Sequence, residues 1–281
     1  MINHNSIQPK KSLGQNFLKD KNIASKIVNS LNCENNDNVV EIGPGTGALT
    51  DLLLKLPIKL TGVEIDKKAI EILNKKYSQK YTNFNLIHSD ILKFSLNDIK
   101  TDSEKIENQG FKVIGNIPYY LSSEIFFWLF EQKHLIKKSI LMVQKEVAKR
   151  LSAAPRTKDY GILTVATNLI GSSKILFDVS PTCFFPQPKV TSSIIEINFT
   201  NNNIETSEFK SIMKLVRAAF NQRRKTLRNS LTNYINDNIK LNLNDVVAAA
   251  EKSGIDYFHK RAEELSSEDF VKFFHFFQTL K

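Results

Sequence analysis

Three apolar runs in this chain end on residues that suit one ligand. The first, "NVVEIG" (Asn38 to Gly43), opens into "EIGPGTG" (Glu41 to Gly47), a Gly-x-Gly-x-Gly turn ahead of a helical pattern. Glycines at such a turn let the backbone approach a ligand without a Cβ clash. The spacing is not the Gly-x-Gly-x-x-Gly that seats a dinucleotide pyrophosphate on a helix start. Pro44 stands where a loop would wrap a diphosphate, and Glu41 brings a negative charge that would repel one. The second run closes on Glu64, where a carboxylate can accept from two ribose hydroxyls. The third closes on Asp90, which can accept from an adenine amino group. Each acid alone also suits a helix N-cap or a solvated surface. In an open parallel sheet, ligands sit outside the carboxyl ends of the strands. The ordered set (Gly43 and Gly45, then Glu64, then Asp90) therefore points to a cationic, adenosine-bearing ligand without a phosphate chain. S-adenosylmethionine has that chemistry.

A fourth run, "FKVIGN", ends in "GNIPYY" (Gly115 to Tyr120). A turn needs Asn and Pro but not paired tyrosines. The Asn-x-Pro-Tyr pattern resembles that of amino-methyltransferases acting on exocyclic base nitrogens. The N6 lone pair of adenine is delocalised into the ring and is a poor nucleophile. The side-chain oxygen of Asn116 and the carbonyl of Ile117 can accept its N–H protons and hold the nitrogen nearer tetrahedral. Pro118 stiffens the turn. Tyr119 offers a ring face for an extruded base. The alternative is an Asn-Pro turn with half-buried tyrosines.

These residues need elements to position them. "NVVEIG", "LTGVEID" (Leu60 to Asp66), "FNLIHSD" (Phe84 to Asp90), "FKVIGN" and "SILMVQ" (Ser139 to Gln144) read as strands. Helical stretches such as "GALTDLLLKL" and "KKAIEILNKKYS" separate them. Such alternation predicts an α/β fold, a Rossmann-like parallel sheet with helices on both faces. "KILFDV" (Lys174 to Val179) and "SSIIEINF" (Ser192 to Phe199) suggest a closing hairpin-like pair. The polar stretch "TNNNIETSE" (Thr200 to Glu208) reads as a linker. It divides a domain over 1–202 from a small all-helical C-terminal domain over 203–281. The aromatic stripe Phe270, Phe273, Phe274 and Phe277 has the spacing of a buried helix face.

Composition bounds the class. The 281 residues carry a net charge of +10 and are 41% hydrophobic. That charge favours a polyanionic partner, nucleic acid or an anionic membrane. The two cysteines, Cys33 and Cys183, have no metal-ligand spacing, so no metal is expected. No apolar run is long enough to span a bilayer. The opening "MINHNSIQPKK" lacks a signal-peptide core, so a cytoplasmic location is expected.

Taken together, "KSLGQNFL" (Lys11 to Leu18), "EIGPGTGALT", "GVEID", "NIPYY", "FFPQPKVTSS" (Phe184 to Ser193) and "FNQRRKTLRNSL" (Phe220 to Leu231) resemble the small-subunit ribosomal RNA adenine N6,N6-dimethyltransferases, the KsgA family. The resemblance covers essentially the whole chain. It implies cofactor contacts at Asn16, Leu18, Gly43, Gly45, Glu64, Asp90 and Asn116. It makes Phe184 the second wall of a base pocket, facing Tyr119; the other reading of Phe184 is a hydrophobic plug. It also implies a substrate of two adjacent adenosines in a hairpin loop near the RNA 3′ end, within the immature small ribosomal subunit. No membrane partner is implied, and a monomer is expected. The loop "APRTKDYG" (Ala154 to Gly161) lies near where the family meets RNA, or is a solvated turn. Arg217, Arg223, Arg224, Lys225 and Arg228 lie within twelve residues that contain no acid. Such a cluster suits phosphate contacts. If helical throughout, it would place Arg217, Arg224 and Arg228 on one stripe, while Arg223 or Arg224 could also bridge the domains. A large-subunit adenine methyltransferase and a non-catalytic assembly factor are the rival readings. "FNQRRKTLRNSL" argues against the first and the intact Asn116, Pro118, Tyr119 and Glu64 against the second.

Overall fold

The structure, a computed structural model, describes residues 8–100, 110–200 and 204–280. Its strands are β1 (Phe17–Leu18), β2 (Asn38–Ile42), β3 (Lys59–Glu64), β4 (Phe84–His88), β5 (Phe111–Asn116), β6 (Ile136–Gln144), β7 (Gly171–Val179), β8 (Phe184–Phe185) and β9 (Ser192–Phe199). Seven of them form one sheet in the order β4-β3-β2-β5-β6-β9-β7. Pairing is parallel from β4 across to β6 and antiparallel between β6 and β9. The five predicted parallel strands are all present. The expected closing pair is present too, but β9 inserts between β6 and β7, so the last strand is not the edge.

Burial explains why the central strands are uninterrupted apolar runs. β2 is buried along its whole length, and so is β3 after its first residue. A strand covered on both faces does not alternate. The helix Lys67–Tyr77 starts on Asp66, whose carboxylate accepts the Lys68 N–H, and buries Ala69, Leu73 and Tyr77 at four-residue spacing. The predicted helix in "GALTDLLLKL" is regular only over Thr50–Leu53.

At the amino ends of β2 and β5, Lys112 Nζ donates to Asp37 Oδ2 at 2.7 Å and to the Asn32 carbonyl at 2.6 Å. Both side chains are nearly buried. A charge pair in such a place is retained only with its hydrogen bonds satisfied. It ties together the two strands whose other ends carry the glycine turn and the "NIPYY" turn.

The chain forms two compact units, one of residues 1–148 and 172–200, the other of 149–171 and 201–281. This differs from a single cut at 202. The helix Ile162–Ile170 packs with the helices Thr206–Phe220 and Ser267–Thr279 of the second unit. Tyr160, fully buried, donates its hydroxyl to the Leu265 carbonyl at 2.8 Å. Of the expected linker, residues 201–203 lie outside the described residues. In the second unit the aromatic stripe is core, with Phe270, Phe273, Phe274 and Phe277 buried. Ser266 and Asp269 cap that helix reciprocally.

Candidate active site

One pocket at the carboxyl ends of β2 to β5 gathers nearly every residue singled out above. Asn16, Leu18, Gly43, Gly45, Glu64, Asp90, Asn116, Pro118 and Tyr119 all line it. The parallel register does the gathering. Ile42 lies level with Val63 on one side and with Gly115 on the other, so turns remote in sequence leave the sheet at one height.

Glu64, 4% exposed, is held by backbone. Its Oε2 accepts the Gly45 N–H, and its Oε1 accepts those of Ile65 and Asp66, each at 2.9 Å. Burial raises its pKa, and the three amides pull the other way without cancelling that rise. Asp90 has a double role. Its Oδ1 accepts the Leu92 N–H at 3.0 Å and so caps the short helix Ile91–Lys93, while the residue also lines the pocket.

Glu41 differs from expectation. It is 2% exposed and accepts the Thr50 hydroxyl at 2.7 Å. Burial pushes its pKa up to about 8, against the opposing Thr50 hydrogen bond. It therefore holds its proton at neutral pH and does not supply the phosphate-repelling charge read from the sequence. That exclusion rests on Pro44 and the glycine spacing.

The pocket fits S-adenosylmethionine. Gly43 lines it with φ +63°, and a Cβ placed there would meet no protein atom within 4 Å. The backbone is open toward the cavity at the point where a ligand must approach it. Gly45 is filled from the protein side instead, since a Cβ there would come within 3.1 Å of the Phe17 ring.

The "NIPYY" turn follows β5. Asn116 Nδ2 donates to the Asn16 carbonyl at 2.8 Å. A carbonyl can only accept, so this bond fixes the amide orientation and leaves Oδ1 as the acceptor. Pro118, at φ −60°, leads into the single turn Tyr119–Leu121. Tyr119 Oη shares a hydrogen bond with Ser192 Oγ. Burial raises the Tyr119 pKa, partly offset by that bond.

Phe184 does not line this pocket. It is 1% exposed and packs in the core with Leu18 and Ile194. Successive side chains in a strand point to opposite faces. In the β1–β8 pairing Phe184 opposes Leu18 and turns inward; Phe185, opposite Phe17, is 61% exposed.

Sequence reasoning missed the fastening of the N-terminal segment. Asp66 accepts from Lys10 Nζ at 2.7 Å and from Gln15 Nε2 at 3.4 Å. Burial favours a raised Asp66 pKa, but these bonds and the Lys68 N–H outweigh it and hold the carboxyl below its ordinary range. Gly14, at φ +58°, lies against the half-exposed Tyr120, with room for no Cβ. "EIDKK" carries the signature of an N-cap, which was the one available hint that Asp66 is anchored.

The basic cluster is not one helical stripe. The helix Thr206–Phe220 ends at Phe220, residues 221–225 turn, and a new helix runs Leu227–Ser230. The break is tertiary in origin: Thr226 bridges to Arg261, and the N–H groups of Leu227 and Arg228 donate to the carbonyls of Lys260 and Phe258. Arg223 is used within its own unit, donating to Glu263 Oε2 at 2.7 Å and to the Thr157 carbonyl at 3.0 Å. Arg217, Arg224, Lys225 and Arg228 are exposed. Arg228 also donates to Asn244 Oδ1.

A family model described as "Ribosomal RNA adenine dimethylase" matches residues 6–277. The chain is 38% identical to "Ribosomal RNA small subunit methyltransferase A" of Clostridium acetobutylicum, over 93% of this chain and 91% of that protein. It is 43% identical to the protein of the same description from Mycoplasma mobile, over 80% and 83%. Among solved structures, a dimethyladenosine transferase from Plasmodium falciparum is similar with a TM-score of 0.78 and 28% identity, covering 94% of this chain and 98% of that one. The 23S rRNA methyltransferase ErmE is similar with a TM-score of 0.65 and 25% identity, covering 94% and 100%.

Two predictions follow from the carboxylates. Glu64→Ala is expected to weaken S-adenosylmethionine binding by roughly 1.5–3 kcal/mol, the scale of hydrogen bonds to a charged group; Asp90→Asn should lose less, since its amide oxygen still accepts. Calorimetric titration decides, and unchanged affinity in Glu64→Ala would remove that residue from the site. For Glu41, the folded-state pKa of about 8 lies above its ordinary 4.5. The native state then binds the extra proton between these values, so stability falls as pH rises through that window and levels off above it. Glu41→Gln should therefore gain in thermal stability over the parent progressively from about pH 5 to pH 8. A pH-independent difference in Tm would mean that Glu41 is ionised in the fold.

Proposed function

Because the chain belongs to the ribosomal RNA adenine dimethylase family, S-adenosylmethionine-dependent enzymes, we propose that it dimethylates N6 of two adjacent adenosines in a small-subunit hairpin loop near the RNA 3′ end. We place the reaction in the cytoplasm, on the immature subunit, with the enzyme as a monomer. Among the described residues no helix is long and apolar enough to cross a membrane.

The observation that carries this reading is the Asn116–Asn16 bond. It leaves an acceptor oxygen on Asn116, which lines the same pocket as Gly43, Glu64 and Asp90. The bound cofactor supplies an electrophilic methyl group on sulfur. The protein's task is to present a nitrogen whose lone pair is otherwise lost to the ring. Asn116 Oδ1 and the Ile117 carbonyl accept its two N–H protons and turn the lone pair out of the base plane. Pro118 restricts the turn that holds both acceptors. Tyr119 provides the face against which the extruded base rests. Methylation raises the acidity of the nitrogen, so solvent can take the released proton and no general base is required. Phe184, in the same buried cluster as the pocket residue Leu18, is kept as the proposed second wall of the base site.

Arg217, Arg224, Lys225 and Arg228 are proposed phosphate contacts in the second unit. Arg223, already paired, is assigned to structure. The overall test is tritiated methyl transfer to immature small subunits, large subunits and naked RNA. Transfer confined to the first is expected, and transfer to none would favour an assembly factor.

Replacing Asn116 with Ala is expected to slow single-turnover transfer, with subunit and cofactor saturating, by about two to three orders of magnitude. A rate near the parent's would reduce Asn116 to a turn residue. Arg224→Ala with Arg228→Ala should weaken subunit binding and flatten its salt dependence by nearly one log unit per lost phosphate contact, with cofactor affinity unchanged. An unaltered salt slope would make these residues a solvated surface.

A further inference from the structure

Ser192 belongs to none of the glycine turn, the acids and the "NIPYY" residues. It is the first residue of β9, level with Gln144 at the end of β6, and it is fully buried. Its hydroxyl shares a hydrogen bond with that of Tyr119, 73 residues away in sequence. Within its own short turn the Tyr119 carbonyl accepts the Ser122 hydroxyl at 2.9 Å, which holds the backbone and not the ring. The ring is half-buried at the pocket, and burial raises its pKa, so the hydroxyl stays protonated and needs a partner.

From this geometry we infer that Ser192 is a positioning residue for the methyl-transfer reaction: it fixes where the Tyr119 ring lies, the platform on which the target adenine rests. The inference rests on the reading of Tyr119 as the base platform. A tyrosine ring rotates about two side-chain bonds, and its turn leaves that freedom. A hydrogen bond at the far end of the ring restricts the swing about the Cα–Cβ bond, because that rotation carries the hydroxyl away from Ser192 Oγ. The bond also links the turn after β5 to β9 across the intervening β6.

The chemistry predicts an asymmetry that a purely structural serine would not produce. Ser192→Ala leaves the Tyr119 hydroxyl in a partly buried place without its partner. The ring then swings to find water, and the platform is lost. Tyr119→Phe removes the same bond but leaves no stranded phenol and keeps the ring face. Removing both partners of a buried hydrogen bond is far milder than removing one.

The experiment is single-turnover methyl transfer on immature small subunits with cofactor saturating, normalised to the folded fraction from thermal melting. Ser192→Ala is expected to be slower than the parent by roughly 5- to 100-fold, and Tyr119→Phe by only about 2- to 10-fold. The double variant Ser192→Ala with Tyr119→Phe should be no slower than Tyr119→Phe, and so faster than Ser192→Ala alone. A Ser192→Ala rate within twofold of the parent overturns the proposal, as does a double variant as slow as Ser192→Ala or slower. Tyr119→Ala separates the premise from the inference. If it transfers at the parental rate, the ring is not the platform and the underlying reading fails. If it is slow while Ser192→Ala is not, only the positioning role fails.

Discussion

Parallel pairing of β2 with both β3 and β5 is the constraint on which the rest of the site depends. It places Ile42, Val63 and Gly115 at one level, so the glycine turn, Glu64 and Asn116 emerge together. Residues 43, 64 and 116 are far apart along the chain. Nothing local could bring them within reach of one ligand. Registration of the strands does it. The buried Lys112–Asp37 pair belongs to the same constraint, since it tethers β2 and β5 at the ends away from the pocket.

On this scaffold the polar groups are pinned by backbone more than by one another. Glu64 accepts three N–H groups, Asp90 accepts one, and Asn116 donates to a carbonyl. A backbone partner cannot rotate away, so each side chain arrives already oriented, which is the condition for transition-state positioning.

The strand ends were legible in the sequence because they sit on long apolar runs broken by glycine, acid or Asn-Pro. Asn16 and Leu18 were reachable only through resemblance, since a two-residue strand has no periodicity to read. For the same reason the sequence could not say which of Phe184 and Phe185 faces inward; the pairing with Leu18 and Phe17 decides it. The basic stretch misled for a different reason. Its spacing is helical, but the Thr226–Arg261 bridge and two backbone bonds to residues 258 and 260 override it. The charge of Glu41 was misread because formal charge ignores burial, and burial favours the neutral acid.

On the proposed roles of Asn16 and Asn116, the N-terminal segment makes the cofactor and base positions interdependent. Lys10 and Gln15 fasten it to Asp66 at the end of β3, and Asn16 then sets the amide of Asn116 at the end of β5. Asn16 and Leu18 line the pocket beside the glycine turn, and so does Asn116, the proposed acceptor for the adenine nitrogen. A single backbone carbonyl therefore stands between the two tasks. If the segment lifted away, Asn116 would lose the partner that distinguishes its oxygen from its nitrogen, and a flipped amide would present donors to a group that is itself a donor. On the proposed role of Asn116, the orientation of its amide thus depends on the same segment that lines the cofactor space, so base geometry and cofactor site share one support.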